Sequence, residues 1–161
     1  EIYTLHIVGS SDVYKRQLML FGVATVIGNL LGGRLADTLG TRRALQVVLV
    51  GLAFSLAALP FTASQASAMF ANLFAWGVFA FAISPIVQAG VVATAQAEAP
   101  DAVGTASGFN IAAFNLGIAA ASFVGGILVA GPGLLVTPWA ALGATLVALA
   151  IVQRSGRVSR A

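Results

Sequence analysis

The sequence predicts an all-α fold, an integral membrane helical bundle of five transmembrane helices. Three observations carry the prediction. The chain has 161 residues, of which 59% are hydrophobic and 8% charged, with a mean hydropathy of +0.97. A soluble domain carries about 25% charged residues, so this chain cannot cover a soluble surface. Past residue 17 the charges fall in three clusters: Arg34, Asp37, Arg42 and Arg43; then Glu98 and Asp101; then Arg154, Arg157 and Arg160. The gaps between clusters are each roughly fifty residues long. A span needs about 20 apolar residues, so each gap holds two spans and a tight turn.

Residues 1–17, EIYTLHIVGSSDVYKRQ, differ from everything after them. Asp12–Gln17 back-translates to GATGTGTATAAGAGACAG, the end sequence that a common sequencing transposase ligates to fragmented DNA. Residues 1–17 are therefore read as an adapter-derived, non-native segment and set aside from fold reasoning. On this reading His6, Tyr14, Lys15 and Arg16 carry no function, and native sequence begins at Leu18 with its upstream part missing.

The first helix is expected over about 18–37. It ends at the Arg34–Arg43 cluster, and the second follows over about 43–62. Leu59–Ser67, LPFTASQAS, combines Pro with small polar residues, which is turn chemistry. The third helix is expected over 67–94 and the fourth over 104–130. Gly131-Pro132-Gly133 marks the next turn, and the fifth helix runs over 134–153 with Pro138 in its tolerated early position. The domain organisation is thus a partial transmembrane bundle over 18–153 and a basic tail over 154–161.

With five spans, the segments after helices one, three and five share a side. They hold every charge past residue 17, including all six Arg there. An Arg at mid-membrane costs about 2.5–3.5 kcal/mol on insertion scales, and basic loops stay cytoplasmic. The charged side and the C-terminus are therefore expected in the cytoplasm. Ala and Gly richness without Lys points to a GC-rich bacterial genome, hence to a bacterial cytoplasmic (inner) membrane.

Between helices one and two runs GRLADTLGTRR, Gly33–Arg43. It resembles the signature loop of the major facilitator superfamily, G-x-L-A-D-(basic)-x-G-(basic)-(basic). Gly33, Leu35, Ala36, Asp37, Gly40 and Arg42 match; Thr38 and Thr41 replace expected basic residues. In that family the loop follows the second helix of each six-helix half, and the second copy is the more degenerate. The resemblance implies helices 8–12 of a twelve-helix fold. Residues 99–126, APDAVGTASGFNIAAFNLGIAAASFVGG, look like the eleventh helix of the drug:proton antiporter branch. In physical terms, Gly33 and Gly40 permit a sharp reversal between helix ends. Asp37 is expected near the start of helix two, where its charge suits the helix dipole. Arg42 and Arg43 are within reach for pairing and anchor the loop in headgroups.

The helix faces differ. Helix one carries a small-residue stripe, Gly22, Thr25, Asn29, Gly33 and Ala36, suited to close helix approach. Helix four carries two stripes: Ser107, Asn110, Phe114, Gly117 and Ala121; and Asn115, Ser122 and Gly126. Helices two and five are Leu-, Val- and Ala-rich nearly all round, and are expected to face lipid. On helix three Asn72, Trp76 and Phe79 share one face, and Gln88 lies opposite, placed to bridge helices. The resembled fold sets this helix along a central cavity. Asn72, Trp76 and Phe79, with Asn110 and Phe114, are then substrate-cavity candidates, offering amides for orientation and aromatic faces for flat ligands.

No ionisable residue lies inside a predicted span, although such residues are the usual markers of proton relays. Coupling groups are therefore expected in the missing N-terminal part. The sequence has no Cys and offers no catalytic triad, metal-ligand set or phosphate loop, so no enzyme, cofactor, metal or nucleic-acid partner is expected. The expected partners are the lipid bilayer, a small-molecule substrate and protons. The reading is a fragment of a secondary active transporter, a proton-coupled efflux permease for a drug, sugar or nucleobase-like molecule working by alternating access. The alternatives are a nutrient uptake symporter of the same fold, and a small non-transporting assembly protein starting at Met19.

Overall fold

The computed structural model describes the backbone of residues 2–158 and the side chains of Lys15 and of residues 18–155. The side chains of His6, Tyr14, Arg16 and Arg157, and all of Arg160, lie outside the described residues. Five long helices account for the chain: α1 (Ile2–Leu39), α2 (Thr41–Thr62), α3 (Ala66–Glu98), α4 (Val103–Ala130) and α5 (Thr137–Val158). Short 3-10 turns at Pro100–Ala102 and Leu134–Val136 lead into α4 and α5. Each helix holds a stretch long and apolar enough to cross a membrane, and in α1 that stretch is Leu18–Leu39. The protein is a multi-pass membrane bundle. Several boundaries differ from expectation: α3 runs on to Glu98 rather than ending at 94, and α5 begins at Thr137 rather than 134, after a 3-10 turn. The α1 backbone is helical from Ile2, since residues 2–17 contain no Pro to stop it, and α5 runs through Arg154 to Val158 rather than ending at 153.

The junction between α1 and α2 is one residue long. Gly40 has φ +74°, which L side chains rarely adopt, and its N–H bonds the Ala36 carbonyl at 3.0 Å. Gly33 is not part of this reversal: it lies inside α1. Asp37 also lies in α1, in its last turn. Its charge is at the C-terminal end of its own helix, the unfavourable end of that dipole. The reversal is tighter than the sequence suggested, so Asp37 falls before it and not at the start of α2.

Helix α3 is the axis of the bundle, with α1 and α2 packed on it and α5 on the far side of α2. The core is Ala44 and Val48 of α2 against Ala82 and Ile86 of α3, flanked by Leu35, Ala36, Leu45, Phe79 and Ile83. In lipid this contact gains dispersion energy and not water exclusion, so it depends on close fit. Helix α2, expected to face lipid, is instead the most buried span, with Ala44, Val48, Leu49, Leu52, Ser55 and Leu56 turned inward. Only its outer face, with Val47, Val50, Phe54 and Phe61, is exposed. Helix α4 is the opposite case and has no buried residue; Phe109, Leu116 and Phe123 are each 73% exposed.

Helices α1 and α3 approach closely. A Cβ on Gly28 would sit 2.5 Å from the Val78 carbonyl oxygen, and one on Gly32 would meet the Ala82 carbonyl oxygen and the Pro85 ring. Ala24, one turn before Gly28, is fully buried. The contact stripe of α1 is therefore Ala24, Gly28 and Gly32. It lies beside the expected stripe, whose Gly22 and Gly33 have nothing within 4 Å of an added Cβ.

Candidate functional site: an amide-lined cavity between α1, α3 and α4

The two faces of α3 carry different polar groups. On the face toward α2, Asn72 is 9% exposed. Ser55 donates its hydroxyl to Asn72 Oδ1 at 3.0 Å, and Asn72 Nδ2 donates to the Ser55 carbonyl at 3.1 Å and to Thr62 Oγ1 at 3.2 Å. The amide is saturated by α2, and it fixes α2 on α3. Phe79 lies over Gly51 of α2 and flanks the core. Trp76 stacks on Phe21 of α1, with ring centroids 5.8 Å apart. The structure thus places Asn72, Trp76 and Phe79 in helix–helix contacts, not around a common cavity.

On the opposite face are Phe81, Ser84 and Gln88, of which Gln88 bonds α4. With Asn29 of α1 and Asn110, Phe114 and Asn115 of α4 they line a cavity of about 580 Å³. The structure therefore brings together Asn29, Asn110, Phe114 and Asn115, predicted for two different roles, with Ser84 and Gln88. Phe81 is held in this wall by an edge-on contact with Phe21, 5.4 Å between centroids. Asn110 Nδ2 donates to Gln88 Oε1 at 2.6 Å, so Gln88 bridges α3 to α4. Asn29 Nδ2 donates to the Thr25 carbonyl. Phe114 and Gly117 also line a second cavity of about 480 Å³ further along α4. Every polar side chain lining the first cavity is a neutral donor–acceptor. Such a wall orients a hydrogen-bonding ligand without holding a charge.

At the charged end, a groove of about 660 Å³ runs from Thr41 and Leu45 of α2 past Gly90 and Thr94 of α3 to Glu98 and Ala102. Arg42 reaches the end of α5: Nε donates to the Val152 carbonyl at 3.2 Å and Nη2 to the Gln153 carbonyl at 2.9 Å. These contacts bring the first two charge clusters and Arg154 to one end of the bundle. Asp37 makes no ion pair with Arg42 or Arg43 among the described residues.

The family profile described as Major Facilitator Superfamily matches residues 4–159. The chain belongs to the major facilitator superfamily. The match extends into the segment read as adapter-derived. Among curated relatives, the chain is 37% identical over 135 residues to the uncharacterized MFS-type transporter YtbD of Bacillus subtilis, covering 84% of this chain and 33% of that one. It is 38% identical over 136 residues to the inner membrane transport protein YdhP of Escherichia coli, with the same two shares. It is 29% identical over 116 residues to the MFS-type transporter YfhI of Bacillus subtilis, covering 72% and 28%. The chain spans about a third of the length of the curated relatives it matches. No solved structure matches it. These relatives are transport proteins, not enzymes.

Two features of the site were present in the sequence but unused. Gly28-Asn29-Leu30-Leu31-Gly32 is a G-x-x-x-G stripe, a known close-contact pattern for membrane helices. Ser55 and Thr62 stand two turns apart on one face of α2, a polar pair that announces a buried partner such as Asn72.

Proposed function

We propose that the chain forms helices eight to twelve of a twelve-helix secondary transporter that exports a small organic molecule in exchange for protons. Residues 1–17 are adapter-derived on this reading. The charged end, carrying Arg42 and the end of α5, faces the cytoplasm of a bacterial cell and lies at its inner membrane, in keeping with the positive-inside rule. The observation that carries the proposal is the neutral, amide-lined cavity within the spans, bounded by α1, α3 and α4. Its wall positions an uncharged or weakly polar ligand at membrane depth, between helices that leave polar and small side chains unpartnered. Those side chains suit contact with the other half of such a fold, which rocks against this one in alternating access. Asp37 and Arg42 in the signature loop act as the gate at the charged end. Proton-coupling groups lie in the other half.

The test uses the full-length parent protein in everted inner-membrane vesicles energised to an acidic lumen. A panel of sugars, nucleosides and hydrophobic drugs is added while a pH-sensitive dye reports the lumen. Substrate-dependent loss of lumenal protons is expected. Accumulation of the same compounds by intact cells under an inward proton gradient, without the vesicle response, would replace export by uptake symport. No response to any compound in either assay would remove the transport reading.

A further inference from the structure

The bond between Gln88 and Asn110 leaves something open. A carboxamide offers two donor hydrogens and an acceptor oxygen. Asn110 uses one donor, and Gln88 uses its oxygen. What remains at the pair is three N–H donors, two on Gln88 and one on Asn110, together with the Asn110 amide oxygen, an acceptor. None of these groups has another partner among the described residues. Exchanging oxygen and nitrogen on both amides leaves the same complement, three donors and one free oxygen. Both residues line the cavity, with the rings of Phe81 and Phe114 in the same wall. The saturated amide of Asn72, on the other face of the same helix, offers no such opening.

We infer that Gln88 and Asn110 together form a recognition element for an uncharged ligand carrying an acceptor beside a donor, such as a carboxamide or a lactam, with its flat part against Phe81 and Phe114. This inference rests on the transport reading above for its role, though not for its chemistry. The bond between the two residues fixes the orientation of both amides, so the open donor and acceptor are preorganised and less ordering is lost on binding. A ligand with the matching edge satisfies both groups at once. A carboxylate supplies two acceptors and no donor. It leaves the Asn110 oxygen unmatched, and its charge enters a wall with no cation among the described lining residues, a costly transfer at membrane depth. A quaternary ammonium supplies neither group. Discrimination should therefore favour the neutral donor–acceptor edge over both kinds of ion.

The experiment uses purified full-length protein and matched probes: nicotinamide and 2-pyridone as neutral edges, nicotinate and benzyltrimethylammonium as ions. Affinity is read by isothermal calorimetry, and transport by counterflow of labelled nicotinamide in proteoliposomes. The neutral probes should bind, and more tightly than either ion. Gln88→Leu and Asn110→Leu should each weaken nicotinamide binding by about tenfold, the size of one lost hydrogen bond with its partner left unpaired. The double variant should lose little more than either single one, because the two residues act as a unit. The exchanged pair, Gln88→Asn with Asn110→Gln, keeps the chemistry and should recover binding, which a purely structural loss would not do. Equal or tighter binding of the ions, no binding of either neutral probe, or unchanged affinity in both Leu variants would overturn the inference. Tight nicotinamide binding without counterflow, together with no response to any compound in the vesicle and cell assays above, would remove the transport reading and leave the recognition element standing.

Discussion

Each of the two faces of α3 meets a carboxamide pairing, and the two pairings end differently. Asn72, toward α2, spends its oxygen and nitrogen on Ser55 and Thr62. Asn110, reaching across from α4, spends one N–H on Gln88, and both residues line a cavity of about 580 Å³. The first arrangement holds a helix in place, and the second leaves hydrogen-bonding capacity for a visitor. The difference lies in the neighbour. Helix α2 presses on α3 along the Ala44, Val48, Ala82 and Ile86 core, whereas α4 has no buried residue at all. An amide against a tightly packed helix becomes structure; an amide against a loosely packed one stays available.

Substitutions should separate these roles. The largest effect is expected where backbone meets backbone. Gly32→Leu forces a side chain into the Ala82 carbonyl and the Pro85 ring, atoms that cannot swing aside. It should cost about 3 kcal/mol or more, read as loss of a monodisperse detergent peak in size-exclusion chromatography. A normal peak and melting temperature would mean that α1 does not pack on α3 as described. Next comes Asn72→Leu. It removes three hydrogen bonds from a buried junction and should cost about 1–2 kcal/mol in denaturant unfolding, with ligand affinity unchanged. A changed affinity would return Asn72 to the cavity. Arg42→Gln should cost about 1 kcal/mol or less, since its bonds to α5 are exposed. Hydrogen exchange should quicken in the last turns of α5 and nowhere in α3. Asp37→Asn changes an exposed residue that makes no ion pair with Arg42 or Arg43 among the described residues. Stability should stay within about 0.5 kcal/mol while vesicle transport slows severalfold; an unchanged rate would remove Asp37 from the gate.

The five spans were legible in the sequence because two strong forces agree there. Hydropathy sets the length of each span, and the cost of burying charge sets where the spans end. Contacts around the helices were less legible. Helix α3 is apolar on nearly every side, so its period cannot tell a face toward α2 from a face toward a cavity. Asn72, Trp76 and Phe79 share a face as expected, but that face belongs to α2 and α1. Gln88, placed opposite them and assigned a bridge, was correctly set apart, and the bridge to Asn110 is present. The Gly28–Gly32 contact was missed because Gly22 and Gly33 form a longer stripe of small residues beside it. Composition alone does not say which of two neighbouring stripes meets a helix within the same chain.

One residue separates α1 from α2, and the next but one, Arg42, is bonded to the end of α5. Mechanically this is a linkage with almost no slack. A tilt of α1 is passed through Gly40 into the first turn of α2 without a loop to absorb it, and Arg42 carries it on to a helix 110 residues away in sequence. The last helix of the chain can therefore register a movement that begins at the cavity wall, through Asn29, although none of its residues lines that cavity.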